Sequence, residues 1–192
     1  MRRPAEAALV ALFLLAACDL FQTRDPQPPS RTTSTFTPPT SYGIVLRNLQ
    51  FSVAEDNIDN YLHCLADSAY RRYEFVPAQE TRARFPAIFN QWSLESERRY
   101  FQNLGAPVNG APSLTFPDSP PIYTSTDSVV YNLNYTLFYP HRRAGVPQVV
   151  QGNMQLYIGV DPRRLWSIYR WQDSRTTTDS TWSYWKAVFS GS

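Results

Sequence analysis

Residues able to do chemistry are few and scattered in this chain of 192 residues. The two cysteines, Cys18 and Cys64, and the two histidines, His63 and His141, do not make the spacing of a metal site. Only seven glycines occur and none forms a phosphate-cradling loop, so no cofactor is indicated. No Ser/His/Asp arrangement can be read from spacing. What remains is an arginine, Arg170, that alternation places on the same strand face as Trp166 and Ile168. A buried guanidinium needs a carboxylate partner or an anionic ligand. Asp59, Asp67 and Glu74 are the acids near enough in sequence pattern to supply the first. Cys64 sits in the apolar run Tyr61-Leu62-His63-Cys64-Leu65 and reads as a small buried hydrophobe.

The elements that must position these residues change character along the chain. Arg2 and Arg3 precede an apolar run from Ala7 to Ala17, too short for a bilayer span of about 20 residues and suited to a signal peptide over residues 1–17. That run ends Leu15-Ala16-Ala17-Cys18, an aliphatic and two small residues before cysteine. Residues 18–41, with repeated Pro, Ser and Thr, then read as an extended tether. From Tyr42 onward apolar periodicity begins. Ile44, Val45, Leu49 and Val53 predict a helix over 42–54, and Asn57 caps a short second helix carrying Ile58, Tyr61, Leu62 and Leu65. A strand is expected over 69–76 and an irregular stretch over 77–86. Ser93 caps a helix with Leu94, Arg98, Phe101 and Leu104 on one stripe, stopped by Gly105 and Pro107.

The second half alternates as β structure. Tyr131, Leu133, Tyr135 and Leu137 face one way and Asn132, Asn134 and Thr136 the other. Met154, Leu156 and Ile158 oppose Gln151, Asn153 and Gln155 in the next strand. A third strand, 165–173, places Trp166 and Ile168 opposite Tyr169 and Trp171. Segment 182–189 is ordered but its type is left open. Helices first and long strands after make an α+β chain, with N-terminal helices packed on the concave face of a bent antiparallel sheet. The candidate pocket is Tyr61, Tyr131, Tyr135, Met154, Trp166 and Arg170. Phe138, Tyr157, Tyr169 and Trp171 on the other face form a candidate interface.

Formal charge is +2, which gives no electrostatic footprint for nucleic acid. With 43% apolar and 15% aromatic residues the chain can bury a core, which excludes wholesale disorder.

Two resemblances add to this reading. Leu15-Ala16-Ala17-Cys18 resembles a lipobox, which implies cleavage before Cys18 and lipid on its thiol. The lipid would hold the chain to a bacterial membrane, inner or outer, with its domain outside the cytoplasm. The order of elements over residues 42–192 resembles the nuclear transport factor 2-like, or SnoaL-like, superfamily. The carriers are Glu55-Asp56-Asn57-Ile58-Asp59-Asn60-Tyr61, Cys64-Leu65-Ala66-Asp67-Ser68, the hairpin 128–160 and Leu165-Trp166-Ser167-Ile168-Tyr169-Arg170-Trp171. That likeness implies a cone-shaped, cystatin-like fold with a pocket between helices and sheet, and a sheet face that often dimerises. Members include enzymes, binding modules and assembly domains, so fold leaves function open. The first expectation is a non-catalytic envelope module binding a small apolar or acidic ligand, or a partner that could be a second copy through the sheet face. The alternatives are a pocket enzyme of isomerase or dehydratase type and a structural component of the envelope. An enzyme requires a titratable group in the cavity, and a structural module a cavity filled by its own side chains.

Overall fold

The computed structural model describes residues 34–191. The signal segment, Cys18 and most of the tether lie outside the described residues. Among the described residues no helix is long and apolar enough to cross a membrane.

Helix α1 is Tyr42–Ala54 and α2 is Ile58–His63. The Asn57 side chain accepts from the Asn60 N–H at 3.0 Å, the expected cap. Asn57→Ala is expected to cost about 1 kcal/mol, read as a lower urea midpoint with unchanged slope. Strand β1 is Glu74–Val76, shorter than the sequence suggests because Asp67 to Arg71 closes a hydrogen-bonded turn first. The stretch expected to be irregular holds two short helices, α3 at Gln79–Arg84 and α4 at Pro86–Phe89. Helix α5 is Leu94–Leu104, with Ser93 and Ser96 closing a reciprocal cap and Gly105 at a φ of 69° ending it.

The sheet runs β1-β6-β5-β4-β2, with β2 at Ser113–Thr115, β4 at Ser128–Phe138, β5 at Val149–Val160 and β6 at Trp166–Ser174. A two-residue strand β3, Tyr123–Thr124, adds to β4. Every pairing is antiparallel except β1 with β6, so the sheet is mixed rather than wholly antiparallel. The last element, α6 at Trp182–Ser190, is a helix, and it packs on α5 and against β5 and β6. Its Trp182, Trp185, Lys186 and Phe189 recur at helical spacing and are all buried. Thus the sheet's inner face is covered by the C-terminal helix as well as the N-terminal ones.

A bulge decides which β6 side chains face inward. Tyr157 pairs Arg170 while its neighbour Ile158 pairs Ile168, so Tyr169 is an extra residue. Alternation therefore slips by one. Trp171 and Asp173 turn into the core, and Arg170 turns out.

The chain also joins the domain earlier than its composition suggests. The Thr37 N–H and carbonyl pair with the Asn48 side chain at 3.1 and 2.7 Å, and Pro39 accepts from the Trp166 N–H at 2.8 Å. Phe36 stacks near His63. Residues 34–41, assigned to the tether by composition, are thus bound along α1, α2 and the start of β6.

Candidate functional site

The interior between helices and sheet is built around one ion pair. Glu97, on the inner face of α5, has no solvent exposure, and neither has Lys186 of α6. The Lys186 ammonium donates to Glu97 Oε1 at 2.5 Å. Tyr73 and Trp92 donate to the same oxygen, each at 2.8 Å, and Tyr61 donates to Oε2 at 2.7 Å. Four donors thus satisfy one carboxylate, the condition under which a buried charge is tolerable. The cation is further held over the Phe75 and Trp171 rings, 3.8 and 4.2 Å from their centroids. Burial pushes the Lys186 ammonium below its ordinary range, and Glu97 opposes that shift.

A second polar network locks α6 in place. Asp173, also buried, accepts from the Ser183 backbone N–H at 2.7 Å and from the Tyr135 hydroxyl at 2.8 Å. The carboxylate therefore caps the start of α6 from another element, where Thr181 offers no side-chain cap. Tyr135 also accepts from the Trp182 N–H at 2.6 Å, and the Trp182 indole donates to Tyr100 at 2.8 Å. Trp171 and Trp182 meet edge to face with centroids 4.5 Å apart. Large side chains and their partners fill the interior.

Several concavities open at the surface. One, of about 530 Å³, is walled by Phe36, Pro38, Leu62, Leu94 and Trp166 and rimmed by Asp59, Arg98, Asp161 and Arg163. Another, of about 380 Å³, adjoins it at Asp67 and Asp161. No group of three or more His, Cys, Asp or Glu able to hold a metal occurs among the described residues.

Solved structures share this arrangement at low identity. A protein named as a candidate scytalone dehydratase, from Novosphingobium aromaticivorans, superposes with a TM-score of 0.54 at 9% identity, over 71% of this chain and 82% of that one. A nuclear transport factor 2-like superfamily protein from Salmonella enterica serovar Typhimurium gives 0.51 at 12%, over 70% and 88%. A candidate calcium/calmodulin-dependent protein kinase II association domain from Xanthomonas campestris gives 0.50 at 15%, over 70% and 85%. No family model and no curated protein matches the chain. The chain has the nuclear transport factor 2-like fold.

Within this nuclear transport factor 2-like fold the six expected pocket residues do not share one pocket. Tyr61, Tyr135 and Met154 lie in the packed interior. Tyr131 and Trp166 flank Tyr42 of α1, with centroids 6.1 and 5.6 Å from its ring. Arg170 points away, 3.5 Å from Glu74, with both side chains substantially exposed. Its expected role as a buried anchor for an acidic ligand is therefore corrected, because the Tyr169 bulge reverses its face. Arg170→Ala is expected to change stability by less than about 1 kcal/mol, which a thermal melt can check. Of the expected interface, Phe138, Tyr157 and Tyr169 lie half-buried on the outer face. Trp171 does not belong with them: it is fully buried against Trp182 and Lys186.

Sequence reasoning missed Glu97, Lys186, Tyr73 and Trp92. The signals were present. Lys186 is the sole lysine of the chain and interrupts an aromatic run, and Glu97 stands at helical spacing from Tyr100, Phe101 and Leu104. Arg98, placed on that stripe instead, is half-exposed and meets Asp59 at 3.5 Å. Cys64 is free and buried, and burial raises its thiol pKa, so it is inert packing.

Proposed function

We propose that this chain is an exported, lipid-anchored and non-catalytic module whose working part is its surface. One observation carries the non-catalytic half. The space between helices and sheet, where the resemblance implies a pocket, is occupied by Tyr61, Trp171, Trp182 and the Glu97–Lys186 pair, all nearly or wholly without exposure. Acid and base are both present there, but a general acid or base must reach the proton it transfers. The isomerase or dehydratase alternative would need these side chains to leave their places. The signal-like run and Leu15-Ala16-Ala17-Cys18 support the anchored half.

Two measurements test the reading separately. Native mass spectrometry of the full protein released from membranes should give polypeptide plus acyl mass and nothing more. A retained metabolite-sized mass would count against a filled interior. Cys18→Ser should move the protein from the membrane to the soluble fraction, and persistence in the membrane would overturn lipid anchoring at Cys18.

A further inference from the structure

On the outer side of the sheet lies a groove unlike the others. It is about 460 Å³ and runs across β2, β4 and β5 beneath the loop that follows β6. Thr115, Asn134, Thr136, Gln151, Thr176 and Thr177 supply its polar lining. All are exposed except Thr136, which is half-buried. Phe116 and Pro117 form an apolar wall at one end. The chain has 18 basic and 16 acidic residues, yet none lines this groove. Four other surface grooves each carry at least one arginine and one acid.

The side chains also leave hydrogen-bonding capacity facing outward. Asn153 donates to the Asn134 side-chain oxygen at 2.9 Å, and the Asn134 amide N–H groups make no hydrogen bond among the described residues. Gln151 donates to the Thr136 hydroxyl at 3.3 Å, which leaves its carbonyl oxygen as an acceptor. Hydroxyls and primary amides each donate and accept, so the lining matches a partner rich in groups that do both. An ionised partner would lose hydration here with no opposite charge to offset it, whereas a neutral one meets no charge that must be desolvated on contact. A half-buried aromatic ring beside such groups offers an apolar face to the C–H side of a ring. We infer that this groove binds a neutral polyhydroxylated chain, an uncharged oligosaccharide. The inference rests on the reading that the protein works through its surface.

The test uses the full protein in a zwitterionic detergent, because a glycoside detergent would compete. Isothermal titration with linear hexasaccharides of glucose and of N-acetylglucosamine is compared with an acidic hexasaccharide of galacturonate. At least one neutral chain should bind, and the acidic chain at least tenfold more weakly. Asn134→Ala with Gln151→Ala should weaken binding at least tenfold at unchanged melting temperature. Thr177→Val, in the exposed loop, is the second variant if the double one melts early, and it should weaken binding as well. Arg163→Ala, in a different groove, should leave binding intact. No binding to either neutral chain, equal binding of the acidic chain, or binding indifferent to all the groove variants would overturn the inference. So would a dimer in sedimentation that Gln151→Arg dissociates, since a second copy would then cover the face. None of these results bears on the mass or membrane measurements above, so the two readings fail independently.

Discussion

Lys186→Met is expected to destabilise the protein by about 3–5 kcal/mol, the cost of leaving a buried partner charge uncompensated. Glu97 would keep its bonds from Tyr61, Tyr73 and Trp92 but lose its only cation. Glu97→Gln should cost a similar amount for the converse reason, a cation left among aromatic rings without its bonded anion and with only the more remote charge of Asp173. The two changes made together should cost much less than their sum, because the double variant has no unpaired charge to bury. Methionine matches the lysine stem in length and can stay against Phe75 and Trp171. Urea unfolding followed by tryptophan fluorescence reads all four corners of this cycle. Single variants within about 1 kcal/mol of the parent would mean that the pair is solvated, and additive costs that the two residues do not interact.

Stability should also fall steeply above about pH 10, the ordinary tyrosine pKa. Tyr61, Tyr73, Tyr100 and Tyr135 are all held well above that value. Burial is the main cause in each, with the negative charge of Glu97 or Asp173 adding to it. Each of these four phenols therefore keeps a proton that the unfolded chain releases, and Tyr131, Tyr139 and the Cys64 thiol, also raised by burial, add to them. Above the unfolded pKa each such proton lowers the unfolding free energy by about 1.4 kcal/mol per pH unit, so the four phenols alone give roughly 5.5 kcal/mol per pH unit. Lys186 acts in the other direction. Its folded pKa is lowered, so the unfolded chain holds that proton more tightly and stability gains with pH until about 10.5. The full decline sets in beyond that point. Urea midpoints from about pH 8 to about pH 11, with phenolate absorbance of the folded protein, follow both effects. If all 12 tyrosines ionised smoothly while the protein stayed folded, the four phenols would have to reach water.

Much of the framework was legible where one face is apolar. Helices α1 and α5 and the hairpin of β4 and β5 follow from spacing, because a single buried stripe or alternate row fixes each. Where legibility failed, an interaction distant in sequence was responsible. The Tyr169 bulge adds one residue, which exchanges Arg170 and Trp171 between faces and empties the expected pocket of its charged group. Nothing local in Ser167-Ile168-Tyr169-Arg170-Trp171 marks the extra residue, because β-branched and aromatic side chains suit either face. Helix α6 is rich in tryptophan and aromatic residues that also favour strands, so its type was open until its 182, 185, 186 and 189 positions met the interior. The proline- and threonine-rich stretch before Tyr42 looks like linker by composition. Its attachment depends on Asn48 and Trp166, which composition does not register.

The sole lysine offers the most direct test of the closed interior. The native protein is treated with an amine-reactive succinimidyl ester, digested, and the peptide containing Lys186 is quantified against a sample labelled in denaturant. A sealed core predicts almost no modification of Lys186 in the native sample and full modification after unfolding. Native labelling at or above the rate of an exposed lysine would show a cavity open to small molecules. It would contradict the filled interior and return the pocket enzyme to first place.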